Sequence, residues 1–135
     1  MSTLKVNTIQ NTSGGASSTP EQIEQGRAKL WIQFDGTGTV SIRDSFNVSS
    51  LVDVDSGEYT INFSITFANR NYCPVVGSYN TNNSDGSWTS QYADGTAFDS
   101  ATTDITTNKC KFVSYNYQGS RQDNVAICIA IFGDV

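Results

Sequence analysis

The chain contains no histidine, which removes imidazole from every catalytic scheme and with it the usual Ser-His-Asp and Cys-His hydrolytic arrangements. Carboxylates are left as the candidates for acid-base work. Asp85, Asp94, Asp99 and Asp104 fall in one polar stretch, and glycoside hydrolysis needs only two carboxyl groups, about 5 to 10 Å apart. Their spacing singles out no pair. The chain is therefore read as non-enzymatic and free of cofactors, with a polysaccharide depolymerase using loop aspartates kept as the alternative. Sugar binding suits the same stretch better. Trp88, Tyr92 and Tyr79 offer ring faces that stack on the C–H surfaces of sugars, and Asn82, Asn83 and Asp85 offer partners for hydroxyls. The competing reading has Trp88 and Tyr92 packing beneath the loops.

Metal chemistry has little to work with. Cys73, Cys110 and Cys128 form no CxxC unit, so a zinc site is not expected. Three thiols cannot all pair within one chain. A Cys73 to Cys110 disulfide is one option, and three free thiols from a reducing cytoplasm the other. Cys128 lies in an apolar run, residues 125–132, where it is expected to act as a small buried hydrophobe. Asp53, Asp55 and Gly57 resemble the start of a calcium loop, but the twelfth position lacks its Glu, and a β-turn is the expected structure.

Charge narrows the partners. The net charge is −5 with no cluster of Lys and Arg, which argues against nucleic acid and anionic membrane surfaces. Charged residues make up 16% of the chain against a usual quarter or so, so the surface is polar but largely uncharged. The N-terminal residues have no apolar signal core, and the longest apolar run, eight residues, is too short to span a bilayer. No membrane insertion is expected.

These residues need a scaffold, and the pattern that supplies one has a period of two. Tyr59, Ile61, Phe63, Ile65 and Phe67 alternate with polar residues over 58–67, predicting a central strand with one buried face. Ala28, Leu30, Ile32 and Phe34 alternate likewise before a Gly-rich turn at 35–38. The return strand carries Val40, Ile42 and Phe46 on one parity, broken by Asp44; Trp31 and Arg43 fall on the other. Trp31 is assigned to a second packing surface such as a subunit interface, with an exposed aromatic as the alternative. Pro74 marks the strand at 72–79 as an edge or a strand start. Both faces of 125–132 are apolar: Val125, Ile127, Ile129 and Ile131 on one, Ala126, Cys128, Ala130 and Phe132 on the other. One face fills a core; the second implies another layer or a neighbouring subunit.

With six or seven strands and almost no helix, the expected fold is all-β, an antiparallel β-sandwich head over 20–135, preceded by an extension over 1–19. Thr19, Pro20, Glu21 and Gln22 form a helix start with a capping box, and Gly26 a stop, giving a short helix over 20–26. Residues 11–19 read as a flexible Ser/Gly linker. Leu4, Val6 and Ile9 are the only large apolar groups before it, too few to order the segment alone. Three copies around a three-fold axis would pool them into a narrow core.

Two stretches resemble the tail-fibre and related virion-fibre proteins of tailed bacteriophages, of cyanophage and marine phage type. One is Thr3-Leu-Lys-Val-Asn-Thr-Ile-Gln-Asn-Thr-Ser-Gly14, followed by Ser18-Thr-Pro-Glu-Gln-Ile23. The other runs from Gly26-Arg-Ala-Lys-Leu-Trp-Ile-Gln-Phe-Asp-Gly-Thr-Gly38 through Asp55-Ser-Gly-Glu-Tyr-Thr-Ile-Asn-Phe63. Together they cover roughly residues 3–67, as an ordered series of short motifs. The resemblance implies a homotrimeric virion appendage made in the host cytoplasm. It would attach to other phage tail or capsid proteins through the N-terminal segment, with Leu4, Val6 and Ile9 as attachment residues, and present its head to host-surface glycan. It also permits a structural fibre or capsid decoration protein without a receptor.

Overall fold

The computed structural model describes residues 2–79, 105–116 and 119–135. It is an all-β chain with one short helix. In chain order the elements are β1 (Ile9–Gln10), β2 (Ser17–Ser18), α1 (Pro20–Gly26), β3 (Leu30–Asp35), β4 (Ser41–Phe46), β5 (Val48–Asp55), β6 (Glu58–Phe63), β7 (Cys73–Tyr79), β8 (Lys109–Val113) and β9 (Ala126–Phe132). Strands β1 and β2 form a small antiparallel pair. The others form two antiparallel sheets, one ordered β4-β3-β9-β7 and one ordered β5-β6-β8.

Alternation decides which side chains meet. Leu30, Ile32 and Phe34 of β3 and Ile127, Ile129 and Ile131 of β9 point inward from the first sheet. Tyr59, Ile61 and Phe63 of β6, with Cys110 and Phe112 of β8, point inward from the second, and all belong to one buried cluster. The Phe34 and Tyr59 rings touch edge to face at 5.0 Å, joining the sheets near one end. Phe63, Phe67 and Tyr72 pack together near the other. Burying a side chain of this size is worth roughly 1.5 to 3 kcal/mol, so this cluster is the main stabilising element.

Strand β6 is central in its sheet, as its alternation requires. It ends at Phe63, however, short of the expected residue 67. Beyond it the backbone is held by other partners: Ser64 N–H donates to Asn47 O at 3.0 Å and Phe67 N–H to Thr107 O at 2.8 Å. Phe67 is still fully buried, because burial there comes from its aromatic neighbours rather than from a strand. Strand β5, by contrast, has no clear signal in the sequence. It pairs with β6 through two register shifts, and only Val48 and Leu51 reach the core, so its apolar residues keep no regular period. A bulge between Gln33 and Phe34 likewise breaks the pairing of β3 with β4. Ile42 and Phe46, of one parity in the sequence, therefore pair with Phe34 and Trp31 on opposite faces of the sheet, and both are exposed.

Asn47 carries the chain from the first sheet to the second in a left-handed conformation, φ 59°, which Asn tolerates better than most residues. Its Nδ2 donates to Lys29 O at 2.6 Å. Helix α1 begins with the expected capping box: Gln22 N–H donates to Thr19 Oγ1 at 3.2 Å, and Thr19 N–H to Gln22 Oε1 at 2.9 Å. The Ser/Gly stretch is not a free linker. Asn11 Oδ1 accepts from Gly15 N–H at 2.9 Å and from the Ser13 hydroxyl at 3.0 Å, and Gly14, at φ 73°, closes the turn between β1 and β2.

Candidate functional site

Strand directions give the β region two unlike ends. One carries α1, Asn47, residues 64–72 and the C-terminal residues. The other carries the turns β3–β4, β5–β6 and β8–β9 and the end of β7.

At the helix end, α1 is fastened rather than hinged. Lys29 is buried, and its Nζ donates to Glu24 O at 2.6 Å and pairs with the Glu24 carboxylate. That hydrogen bond from Lys29 holds the Glu24 carboxyl below its ordinary value, with Arg27 adding to the effect. Gln25 Nε2 donates to Asp134 Oδ1 at 2.6 Å. The direction in which the extension leaves is thereby set. Leu4, Val6 and Ile9 are exposed and lie along one depression with Pro20 and Ile23 of the helix. Ile23 joins Leu4, Val6 and Ile9 by position, a link that spacing across a turn could not show.

At the turn end, polar groups tie three turns into one unit. Asp123 Oδ1 accepts from Gly57 N–H at 2.6 Å and from the Tyr59 hydroxyl at 2.7 Å. Burial, then the hydrogen bond to Asp123, raise the Tyr59 hydroxyl well above its usual range, so it stays a donor. Gly36 N–H donates to Asn124 O at 2.9 Å. Asn124 Nδ2 donates to Ser114 Oγ. Gly57 is required twice over: its φ is 66°, and a Cβ there would lie 2.6 Å from Ser114 O and from Gln122 N. The expected turn is confined to Ser56 and Gly57, because Asp53 and Asp55 are paired with Tyr59 and Glu58 at the end of β5, and among the described residues no group of three or more potential metal ligands gathers. Asp35 accepts from the Thr37 hydroxyl and Thr37 N–H and pairs with Arg43, which together lower its carboxyl.

Of the six sugar-binding candidates, Trp88, Tyr92, Asn82, Asn83 and Asp85 lie outside the described residues, as do Asp94, Asp99 and Asp104. The backbone of Tyr79 is the last residue of β7, at the turn end. The intervening segment starts there and rejoins the fold at Ile105, which bridges to Cys110 on the side of the helix end.

The thiols of Cys73, Cys110 and Cys128 are all free. Cys110 is buried against Tyr72, and burial pushes its thiol up. Cys128 departs from the sequence reading: it is exposed, because its parity on β9 faces away from the core, between Gln33 of β3 and Gly77 of β7.

Comparison of the chain with known protein families, curated proteins and solved structures finds no match.

Proposed function

We propose that this chain is a non-enzymatic fibre protein of a bacteriophage virion that takes part in host adsorption. In this reading the two sheets are the layers of a β-sandwich head, and three copies assemble into a homotrimer. The extension, with Leu4, Val6, Ile9 and Ile23, attaches to other tail or capsid proteins. The turn end, with the segment that leaves it after Tyr79, faces host-surface glycan.

The observation that carries this reading is the opposition of the two ends. An exposed apolar patch on a fastened helix lies at one; a rigid set of polar turns lies at the other. That arrangement suits a molecule that docks by one end and presents the other. The resemblance of residues 3–67 to phage fibres supports it independently. Two measurements test it. Antibody against the chain should decorate phage particles in immunogold micrographs. Labelled protein should bind saturably to a bacterial surface polysaccharide on a glycan array and lose that binding when Trp88 and Tyr92 are replaced by alanine. Decorated particles with no glycan bound would leave only the structural-fibre reading; undecorated particles would sink both.

A further inference from the structure

We infer that Asp35-Gly36 is a latent site of aspartate isomerisation, which the packing of Tyr59 imposes on the chain and which Thr37, Arg43 and Asn124 hold shut. Of all residues that can follow an aspartate, glycine favours this reaction most, because no side chain shields its backbone nitrogen. The Gly36 nitrogen would give up its proton and attack Asp35 Cγ, a carboxyl oxygen would leave as water, and a succinimide ring would form. Water then reopens the ring at either carbonyl. One opening restores aspartate. The other gives isoaspartate, in which the backbone runs through the former side chain and is longer by one methylene. Only water is lost and regained, so no further reactant is needed.

The labile pair is dictated by packing. Gly36 has no positive φ, so its backbone conformation does not demand glycine. Lack of room does. A Cβ on Gly36 would overlap the Tyr59 hydroxyl, and would lie 2.9 Å from Cζ of that ring and 3.2 Å from Asn124 O. Tyr59 has nowhere to withdraw: it is fully buried, its ring packs on Phe34, and its hydroxyl donates to Asp123 Oδ1 at 2.7 Å. A ring in the centre of the core therefore fixes glycine after Asp35.

Both reacting groups are occupied in the fold. Asp35 Oδ1 accepts from Thr37 N–H at 3.0 Å and from the Thr37 hydroxyl at 2.7 Å. Its Oδ2 accepts from Arg43 Nη2 at 2.9 Å. These donors favour the carboxylate, which is a poorer electrophile than the neutral acid. Arg43 Nη2 also donates to Val125 O at 2.8 Å, which ties the carboxylate to the start of β9. Gly36 N–H donates to Asn124 O at 2.9 Å, so the attacking nitrogen keeps its proton and its place. Ring closure requires the carboxyl to leave Thr37 while Gly36 N–H leaves Asn124, which is a local opening of the turn. Isoaspartate at position 35 would shift Gly36 away from Asn124 and from the Tyr59 hydroxyl, which lies 3.3 Å from Gly36 O, and so loosen the turn end. None of this depends on the function proposed above.

The test follows isoaspartate in the chain kept folded, and kept unfolded in urea, at neutral pH and physiological temperature. Trypsin, cutting after Lys29 and Arg43, releases residues 30–43, in which Asp35 is the only aspartate. Electron-transfer fragmentation locates isoaspartate by residue, including in the longer peptide that Arg43→Gln yields. The folded chain should convert Asp35 at least about tenfold more slowly than the unfolded one, since several hydrogen bonds must open together. Thr37→Val removes the hydroxyl and Arg43→Gln the cation. Each should speed the folded rate about three- to tenfold and leave the unfolded rate as it was. Ile61→Val weakens the core without touching this turn, and should move the folded rate by less than either turn variant. Equal rates in the folded and unfolded parent overturn the proposal. A folded rate that neither turn variant moves overturns it as well. So does an Ile61→Val effect as large as theirs, which would place the protection in global stability alone.

Discussion

The two sheets turn outer faces of different chemistry away from one shared core. On β5-β6-β8, Glu58 pairs with Lys111 at 2.7 Å and with Arg121. Asn62 Nδ2 donates to Ser50 Oγ at 2.9 Å. Thr60 and Lys111 stand in register beside Val52. Such a face is internally paired and loses little by meeting water. On β4-β3-β9-β7 the outward row of Phe46, Trp31, Ala130 and Val75 is apolar, and beside it runs a row of Asp44, Gln33, Cys128 and Gly77. Exposure of the apolar row costs roughly 25 cal/mol per Å² until something covers it. Within a single fold, one outer face is knit by polar pairs and the other carries an exposed apolar row.

The largest effects should come from the core the sheets share, where the comparison predicts equality. Ile61 lies under the polar face and Ile129 under the apolar one, at 0% and 2% exposure. Ile61→Ala and Ile129→Ala should each cost about 2 to 5 kcal/mol, read from denaturant midpoints below the assembly concentration. If only one of them is costly, the two sheets do not stabilise a common core.

Next is the polar face itself. Glu58 is buried while its partners Lys111 and Arg121 are 22% and 39% exposed. Glu58→Gln removes the carboxylate that Lys111 and Arg121 share, and partial exposure screens the loss. A cost of about 1 to 3 kcal/mol in thermal or chemical unfolding is expected, with no change in mass. A mass change would show that the polar face makes contacts between copies.

Acid should act at both ends. The Glu24 carboxyl is lowered from its ordinary 4.5 by the hydrogen bond from Lys29. The folded chain therefore holds stability from this pair above about pH 4.5, and loses it as pH falls through the lowered folded value. Asp35, lowered by Thr37 and Arg43, acts in the same sense at the turn end. The drop in thermal midpoint between pH 7 and pH 3 should be smaller in Glu24→Gln than in the parent. An unchanged drop would mean that Lys29 does not hold the helix.

How much of this was legible in sequence follows from periodicity. Tyr59, Ile61 and Phe63, or Ile127, Ile129 and Ile131, keep strict alternation, and their strands and inward faces could be read from the chain alone. The capping box at Thr19 and Gln22 was equally plain, because its partners are three residues apart. Strand β5 was not, since its bulges scatter Leu51, Val52 and Val54 between faces. Asn11 stabilises a turn through a side chain whose role depends on geometry, and composition alone read that turn as a linker. Cys128 was misjudged for a different reason. Apolar neighbours on both parities show that two faces are apolar but not which is covered, and within this chain it is the exposed one. Tyr59, chosen as core, also serves the turn end through Asp123, 64 residues away, and no local spacing records a contact that distant. The sugar-binding candidates rest on residue type alone.

The smallest expected effect sharpens the comparison most, because the same substitution is made on both faces. Val52 on the polar face and Val75 on the apolar face are similarly exposed, at 45% and 57%, and neither belongs to the core cluster. A lysine at either should change the stability of the isolated chain by no more than about 0.5 kcal/mol. In the homotrimer proposed above the two should part. Val52→Lys joins a face that already carries Lys109 and Lys111 and should leave the mass as it was. Val75→Lys places a charge in the apolar row, and if the proposed homotrimer covers that row, desolvating an unpaired ammonium costs far more than the lost contacts of one valine. Light scattering at matched concentration should show the second variant alone dissociating. Equal behaviour of the two would mean that the chemical difference between the faces has no part in assembly.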